Sequence, residues 1–248
     1  WLEMLAYPRK DEDNNIIATG AISKNVLKCI AIKKEYQSGK LINQVINTLI
    51  HSCYSDGITN LFVYTKPYYI QTFKYLGFYE LVTTAKVALL ENRPDGINIY
   101  LNSLYTSKKK DSYKNIAGIV LNANPFTKGH LHLLKKASME NDLVYAFVVW
   151  EDKSIFPNEV RYKLVKQGCK DLENVVVFRG LDYIISSATF PSYFINDKNK
   201  VIDEHTHLDL KLFGDYIARR LKINKRYVGK EPFDLTTNKY NQIIKKIL

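Results

Sequence analysis

The sequence is poor in the residues that mark a disulfide scaffold, a metal ribbon or a fibre. Its 248 residues include three cysteines, Cys29, Cys53 and Cys169, an odd number at wide spacings with no CxxC pair. That excludes a disulfide framework and a thiolate metal site, and the expected home is a reducing cytoplasm. Seven prolines and 11 glycines, scattered and without period, exclude collagen-like and low-complexity chains. No run of about 18 uncharged apolar residues occurs, so no membrane-spanning helix is expected. No internal repeat is found. Acidic residues are the minority, 25 against 36 Lys and Arg, a net charge of +11. Such an excess can serve nucleic acid, an anionic membrane or small anionic substrates. The basic residues are spread along the chain, and their longest run, Lys108-Lys109-Lys110, has no interleaved aromatics. Neither nucleic acid nor a membrane is therefore expected as a partner.

What is present is ordinary globular material, 46% hydrophobic and 12% aromatic, at a length that suggests two domains. The first hundred residues alternate strand and helix signals: strands at 16–22, 25–32, 59–65 and 78–90, helices at 41–54 and 67–76. Asp56-Gly57 and Gly77 supply the stops. Residues 91–96 (ENRPDG) are turn-rich, and a short helix to about residue 105 follows. The stretch 106–115 (TSKKKDSYKN) is polar, charged and aperiodic, and reads as a linker between domains spanning 1–105 and 116–248. Beyond it the alternation restarts, with strands at 116–121, 143–150, 175–178 and 226–229. Helices are expected at 128–140, 157–170, 206–221 and 235–248. Strands alternating with helices of this length predict a doubly wound parallel sheet. The chain opens on Trp1 and stops within a helical run, so further residues are expected at one or both ends of the natural protein.

The chemically informative segment is 118–130, GIVLNANPFTKGH. A buried strand ends in a tight turn, and a helix begins with Gly129-His130 in its first turns. Ligands of doubly wound sheets bind at the carboxyl ends of the strands, and a helix N-terminus there offers N–H groups and a positive dipole end to phosphate. His130 would project its imidazole at the same phosphate and, protonated, stabilise charge on the α-phosphate or on leaving pyrophosphate. Thr127 adds a hydroxyl, Lys128 a charge, and Gly129 close backbone approach. An isolated Gly-His pair is ordinarily a helix-surface histidine. Strand, Asn-Pro turn, TxGH and an apolar helix carrying Leu131, Leu134 and Ala137 make a context that favours the phosphate role. His205 and His207 with Asp203 and Asp209 look superficially like a metal cluster, but at a helix start they read as solvated or capping residues.

The pattern resembles the HxGH nucleotidyltransferases in a TxGH form, with Thr127 at the first His position and His130 at the second. The longer string resembles, more narrowly, the citrate lyase ligase family. It comprises NANPFTKGH, WEDK (150–153), FPNEVR (156–161), RGLDYIISSATFPSYF (179–194), THLDLKLF (206–213) and YVGKEPF (227–233), followed by Asn238, Tyr240 and Asn241. That resemblance implies an α/β architecture in which a GNAT-like domain precedes a doubly wound, Rossmann-like nucleotidyltransferase domain. Tyr75-Leu76-Gly77-Phe78 matches an element of the acetyltransferase fold. The pyrophosphate-binding loop of that fold corresponds to Gln37-Ser38-Gly39-Lys40-Leu41-Ile42, where the glycine is displaced. Acetyl transfer from CoA is therefore not expected, and a docking or structural role is.

The implied activity is a ligase reaction. Acetate is activated with ATP, accompanied by Mg²⁺, and the prosthetic-group thiol of the citrate lyase acyl-carrier subunit is acetylated, with AMP and pyrophosphate leaving. Implied roles follow. The turn Asn122, Asn124, Pro125 and Phe126, with Thr127, Lys128, Gly129 and His130, would hold the triphosphate. Arg161 would meet substrate or phosphate. Gly229, Lys230 and Glu231 would recognise adenine. Arg179, Thr189 and Tyr193 would shape the acetate or thiol side. HxGH enzymes usually carry a later SxSxxR-like element, which does not occur by Leu248. The alternatives are a plain adenylyltransferase acting on a small phosphate-bearing substrate and a docking module that holds nucleotide without turnover.

Overall fold

A computed structural model describes residues 5–37, 40–104, 112–151, 154–185, 190, 195, 198–229 and 235–247. Two compact units divide the chain, Trp1–Gly96 and Ile97–Leu248.

The first unit is a mixed sheet with helices. Its strands are β1 (Leu5–Ala6), β2 (Arg9–Lys10), β3 (Ile16–Ser23), β4 (Val26–Ile32), β5 (Phe62–Thr65), β6 (Tyr79–Thr83) and β7 (Ala88–Glu91). They order as β1-β3-β4-β5-β7-β6, with β2 on β3. Pairing is antiparallel except between β4 and β5. Helix α1 (Leu41–Ser55) buries Val45, Ile46, Leu49 and Cys53, spaced as one face of a helix, into a core with Leu27, Leu61, Val63 and Leu90. Gly20 of β3 lies so close under α1 that an added Cβ would stand 2.8 Å from Leu49 and 2.9 Å from Val45. Helix α2 (Ile70–Tyr75) contributes Phe73, whose ring meets Phe78 edge to face at 5.9 Å. The strand expected over 78–90 is a hairpin, β6 and β7. Its turn closes through Thr84, whose N–H donates to the Val87 carbonyl and whose Oγ1 accepts from the Val87 N–H. Neither Gly nor Pro announces that turn, because a threonine side chain supplies the hydrogen bond instead.

The second unit opens with helix α3 (Gly96–Ser103), whose Tyr100 stacks on Tyr183 of the same unit at 5.0 Å. Then come β8 (Ile116–Leu121), α4 (Lys128–Glu140), β9 (Leu143–Val148), α5 (Asn158–Gly168) and β10 (Val175–Arg179). Helix α6 (Lys198–Leu212) continues through a π-helical stretch, Phe213–Ala218, into α7 (Arg219–Leu221). Strand β11 (Lys225–Tyr227) and α8 (Leu235–Ile247) complete the unit. The strands order as β10-β9-β8-β11, all parallel. The first three wind away in one direction and β11 returns on the other side of β8, so the topological switch lies between β8 and β11, where such sheets bind ligands.

Alternation along the strands sorts two core layers. Ala117, Ile119, Leu121, Val144, Ala146 and Val148 pack on Leu134 and Ala137 of α4 and Val165 of α5. The opposite face carries Tyr145, Phe147 and Phe178, with Phe213 reaching in against Phe147 at 5.6 Å. Gly118 of β8 makes room for this layer: an added Cβ would stand 3.1 Å from Phe213 and 3.2 Å from Ile223. The helix expected at 206–221 begins eight residues earlier, at Lys198. Its first residues are charged and lack apolar periodicity, which hides the start. Among the described residues no helix is long and apolar enough to cross a membrane. Replacing Gly118 with Ala should cost about 1–3 kcal/mol through overpacking. A fall in the urea midpoint with unchanged slope would show it, and an unchanged midpoint would contradict the packing described.

Candidate active site

The carboxyl edge of the parallel sheet is built around one buried guanidinium. Arg161, on the first turns of α5, is completely buried. Its Nε donates to the Phe156 carbonyl at 3.1 Å. Nη1 donates to the Asn122 carbonyl at 2.7 Å, to Asn122 Oδ1 at 2.9 Å and to the Val149 carbonyl at 2.8 Å. Nη2 donates to the Glu151 carbonyl at 2.5 Å. The residue expected to meet substrate instead ties together the segments leaving β8 and β9. Asn122 and Asn124 complete the tie, Asn122 Oδ1 accepting from Ser154 at 3.3 Å and Asn124 Oδ1 from the Phe156 N–H at 3.0 Å. These side chains shape the turn by holding the loop opposite.

The turn that results presents the start of α4. Ala123, buried, takes φ +50, and the peptide between Asn124 and Pro125 is cis. Phe126 packs on Gly168 of α5, where an added Cβ would stand 2.3 Å from its ring. Thr127 is the N-cap of α4, and with His130 it forms a reciprocal capping box. The His130 N–H points to Thr127 Oγ1 at 3.5 Å, and His130 Nδ1 lies 3.0 Å from the Thr127 N–H and 2.8 Å from its Oγ1. A main-chain N–H can only donate, so Nδ1 is an acceptor and the neutral ring carries its proton on Nε2. The ring stacks on Phe126 at 5.8 Å. Gly129 is open: an added Cβ would meet nothing nearer than Thr127 Oγ1 at 3.6 Å. Thr127, Lys128 and Gly129 are exposed, Pro125 is exposed beside them, and His130 is half-buried.

Further along the same edge Arg179, at the end of β10, lies over the rings of Tyr162 at 4.3 Å and Trp150 at 5.3 Å and pairs with Glu159 at 3.0 Å. Gly229, two residues past β11, has its carbonyl held by Asn241 Nδ2 at 2.7 Å. Lys230, Glu231, Thr189 and Tyr193 lie outside the described residues.

The four residues that mimic a metal cluster divide into two pairs. His207 and Asp203 are peripheral: His207 Nδ1 bonds the Asp203 carbonyl at 2.6 Å, and Asp203 pairs with Lys239 at 2.9 Å. His205 and Asp209 are buried, not solvated, because they fall within α6 on the face that meets Phe190, Tyr240 and Arg226. Their position on the apolar stripe with Phe213 and Ile217 was the sequence signal for this. Among the described residues no group of three or more His, Cys, Asp or Glu could hold a metal ion.

Residues 116–248, more than half of the chain, match the model of the family described as citrate lyase ligase C-terminal domain. The chain belongs to the citrate lyase ligase family. It is 40% identical over 231 residues to the [citrate [pro-3S]-lyase] ligase of Escherichia coli (strain K12), covering 93% of this chain and 65% of that one. It is 37% identical over 234 residues to the Klebsiella pneumoniae ligase of the same name, covering 94% and 68%. The chain thus spans about two thirds of the length of these curated relatives. Among solved structures it is similar to a GNAT-family acetyltransferase from Staphylococcus aureus Mu50 (14% identity, 37% of this chain, 70% of that one, TM-score 0.32). Another is an acetyltransferase from Bacillus cereus ATCC 14579 (12% identity, 36% and 70%, TM-score 0.31). The family match spans both sides of the edge described, from the Thr127–His130 turn to α8.

Two outcomes test this geometry. Arg161→Leu leaves several carbonyls without their donor and should lower stability by at least about 3 kcal/mol. Arg161→Lys should rescue little, because an ammonium cannot reach acceptors arranged around a planar fork. Fast amide exchange at Phe156 in both variants would report the released loop, and wild-type protection there would contradict the tie. His205 is held below the usual histidine range by burial, against an opposite pull from Asp209. Folded, it binds fewer protons than unfolded, so its contribution is intact above the unfolded value near 6.5 and is lost as pH falls below it. From pH 7.5 to 5.5 the wild type should lose more stability than His205→Asn. Parallel losses would contradict the assignment.

Proposed function

We propose that the chain activates acetate with ATP and passes the acetyl group to the prosthetic-group thiol of a citrate lyase acyl-carrier subunit; the name of its curated relatives, a ligase of citrate lyase, supports the target. The observation that carries the reading is the Thr127–His130 capping box at the switch point of the sheet. It puts main-chain N–H groups of α4, an open Gly129 and a histidine with a fixed tautomer at one spot. Triphosphate oxygens fit that spot: N–H groups of a first helical turn lack helical partners, the dipole favours anions, and a phosphate fills the space over Gly129.

In the first step a carboxylate oxygen of acetate attacks the α-phosphorus, and the bond to the bridging α–β oxygen breaks. Acetyl-adenylate forms and pyrophosphate leaves with the electron pair. His130 Nε2–H donates to the oxygens on which charge accumulates, and it does so in the neutral ring, because the cap holds Nδ1 as an acceptor. Thr127 keeps the ring in place, and Lys128 adds positive charge at the phosphate end. The role is positioning and charge stabilisation, with no covalent enzyme intermediate. Mg²⁺ fits as an ion carried in on the phosphates, where it would neutralise their charge. In the second step the thiol sulfur attacks the acetyl carbonyl, the bond to AMP oxygen breaks, and the thiol proton is lost. Gly229 and the adjoining Lys230 and Glu231 are assigned to the nucleotide, and Arg179, Thr189 and Tyr193 to the acetate or thiol side. A cytoplasmic setting suits a substrate that is a free thiol.

Acetate-dependent ATP–pyrophosphate exchange tests the reading. Wild-type protein should exchange only with acetate present, and His130→Ala should lower the rate by about 10²-fold or more with the fold intact. Exchange without acetate, or near-wild-type exchange in His130→Ala, would overturn it.

A further inference from the structure

Helix α5 carries a surface that its own fold does not use. Its inner face, Arg161 and Val165, is buried, as is Cys169 just past its end. On the outer side Val160 and Leu164 are 41% and 38% exposed. They stand four residues apart and are therefore neighbours on the helix surface. Ile155, in the loop that leads into α5, is 88% exposed. Apolar side chains scattered singly over a surface need no explanation. These follow one another along one helix and the loop before it.

A row of charge runs beside that stripe. Glu159, Lys163, Lys166 and Lys170 recur at spacings of four, three and four, which puts them on one side of the helix and the turn that ends it. All four are exposed. Glu159 is the only acid of α5, and Arg179 pairs with it at 3.0 Å. Among the described residues none of the three lysines forms an ion pair. The row therefore offers unpaired positive charge along an apolar stripe. The helix also begins at the carboxyl edge of the sheet. Arg161, on its first turns, donates to the Asn122 carbonyl at 2.7 Å, in the segment that leads to the Thr127–His130 turn. A partner lying along α5 has one end beside that turn, because the whole helix is only about 16 Å long.

We propose that the outer side of α5 is the docking surface for the acyl-carrier subunit, which meets it with an acidic amphipathic helix. The inference deepens the proposed acetyl transfer and rests on it for the identity of the partner. Apolar side chains of such a helix at positions i and i+4 cover Val160 and Leu164. Aspartates or glutamates on its flank, at the same spacing, meet Lys163, Lys166 and Lys170. Complementary charge of this kind speeds encounter, fixes register and turns away wrong partners. A thiol that arrives on another protein makes that demand, since the carrier must be held while its prosthetic group reaches the acetyl-adenylate at the sheet edge. A membrane surface would need a broader apolar face than these aliphatic side chains supply.

The test uses the full chain with the citrate lyase acyl-carrier subunit in its thiol form. Lys163→Glu with Lys166→Glu reverses the row, and Val160→Ser with Leu164→Ser removes the stripe. All four positions are exposed, so the thermal midpoint should stay near that of the wild type. Each double variant should raise the KM for the carrier, and its calorimetric Kd, by about tenfold or more, with kcat within about twofold. Acetate-dependent pyrophosphate exchange without carrier should be unchanged, which separates a docking fault from a fault in adenylation. Wild-type affinity for the carrier should weaken from about 50 to about 300 mM salt, and the charge-reversed variant should respond less. Unchanged KM and Kd in either variant would overturn the proposal, as would a wild type that does not bind the carrier. A wild-type dimer that Val160→Ser with Leu164→Ser splits would assign the surface to a second copy of this chain and overturn it too. If the wild type shows no acetate-dependent exchange, the activity reading fails, and the calorimetric comparison still decides whether α5 docks the carrier.

Discussion

A guanidinium taken out of water must find oxygen atoms for its N–H groups, and Arg161 finds them on the chain leaving two adjacent strands. Carbonyls of Asn122, Val149, Glu151 and Phe156 converge on it, with Asn122 Oδ1 among them. Loops at a strand end otherwise have no ladder to hold them. Here a charged side chain from α5 replaces the ladder, and the cost of burying the charge is offset only while every segment stays in place. The turn before α4 owes its shape to this, through Asn122 and Asn124 and through Phe126 resting on Gly168.

From that turn the chemistry follows with few further requirements. The β10-β9-β8-β11 order opens the sheet beside the end of β8, and the cap at Thr127 starts α4 there. The capping box does two jobs with one set of contacts. It satisfies the first turn of the helix, and it commits one ring nitrogen of His130, so the other carries the proton. In the proposed reaction the neutral form would stabilise the charge, with no need for an imidazolium at the phosphate. The reading of the site from sequence, which invoked the protonated ring, differs on this point. The capping contacts that favour the neutral ring are visible only when the side chains are placed.

Much of the second unit was legible in its sequence because parallel strands buried on both faces read as short apolar runs, as at 116–121 and 143–148, each followed by a helix. The turn before His130 was legible because Asn-Pro and Thr-x-Gly-His carry local geometry. What escaped was long-range. Arg161 is spaced like a surface helix residue, and only the loops folding over it reveal a buried tie. Asp209 and His205 read as polar residues near a helix start, while the true start at Lys198 puts them mid-helix on the inner face. In the first unit the 84–87 turn escaped because threonine, not glycine, closes it.

The proposed chemistry depends on where the phosphates sit. A titration of uniformly ¹⁵N-labelled protein with ATP, followed through backbone amides and imidazole nitrogens, reads this directly. The largest shifts should fall on the amides of Lys128, Gly129 and His130 and on His130 Nε2. Nδ1 should keep the unprotonated signature of an acceptor throughout. Shifts confined to other elements, or a proton on Nδ1 in the bound state, would contradict it.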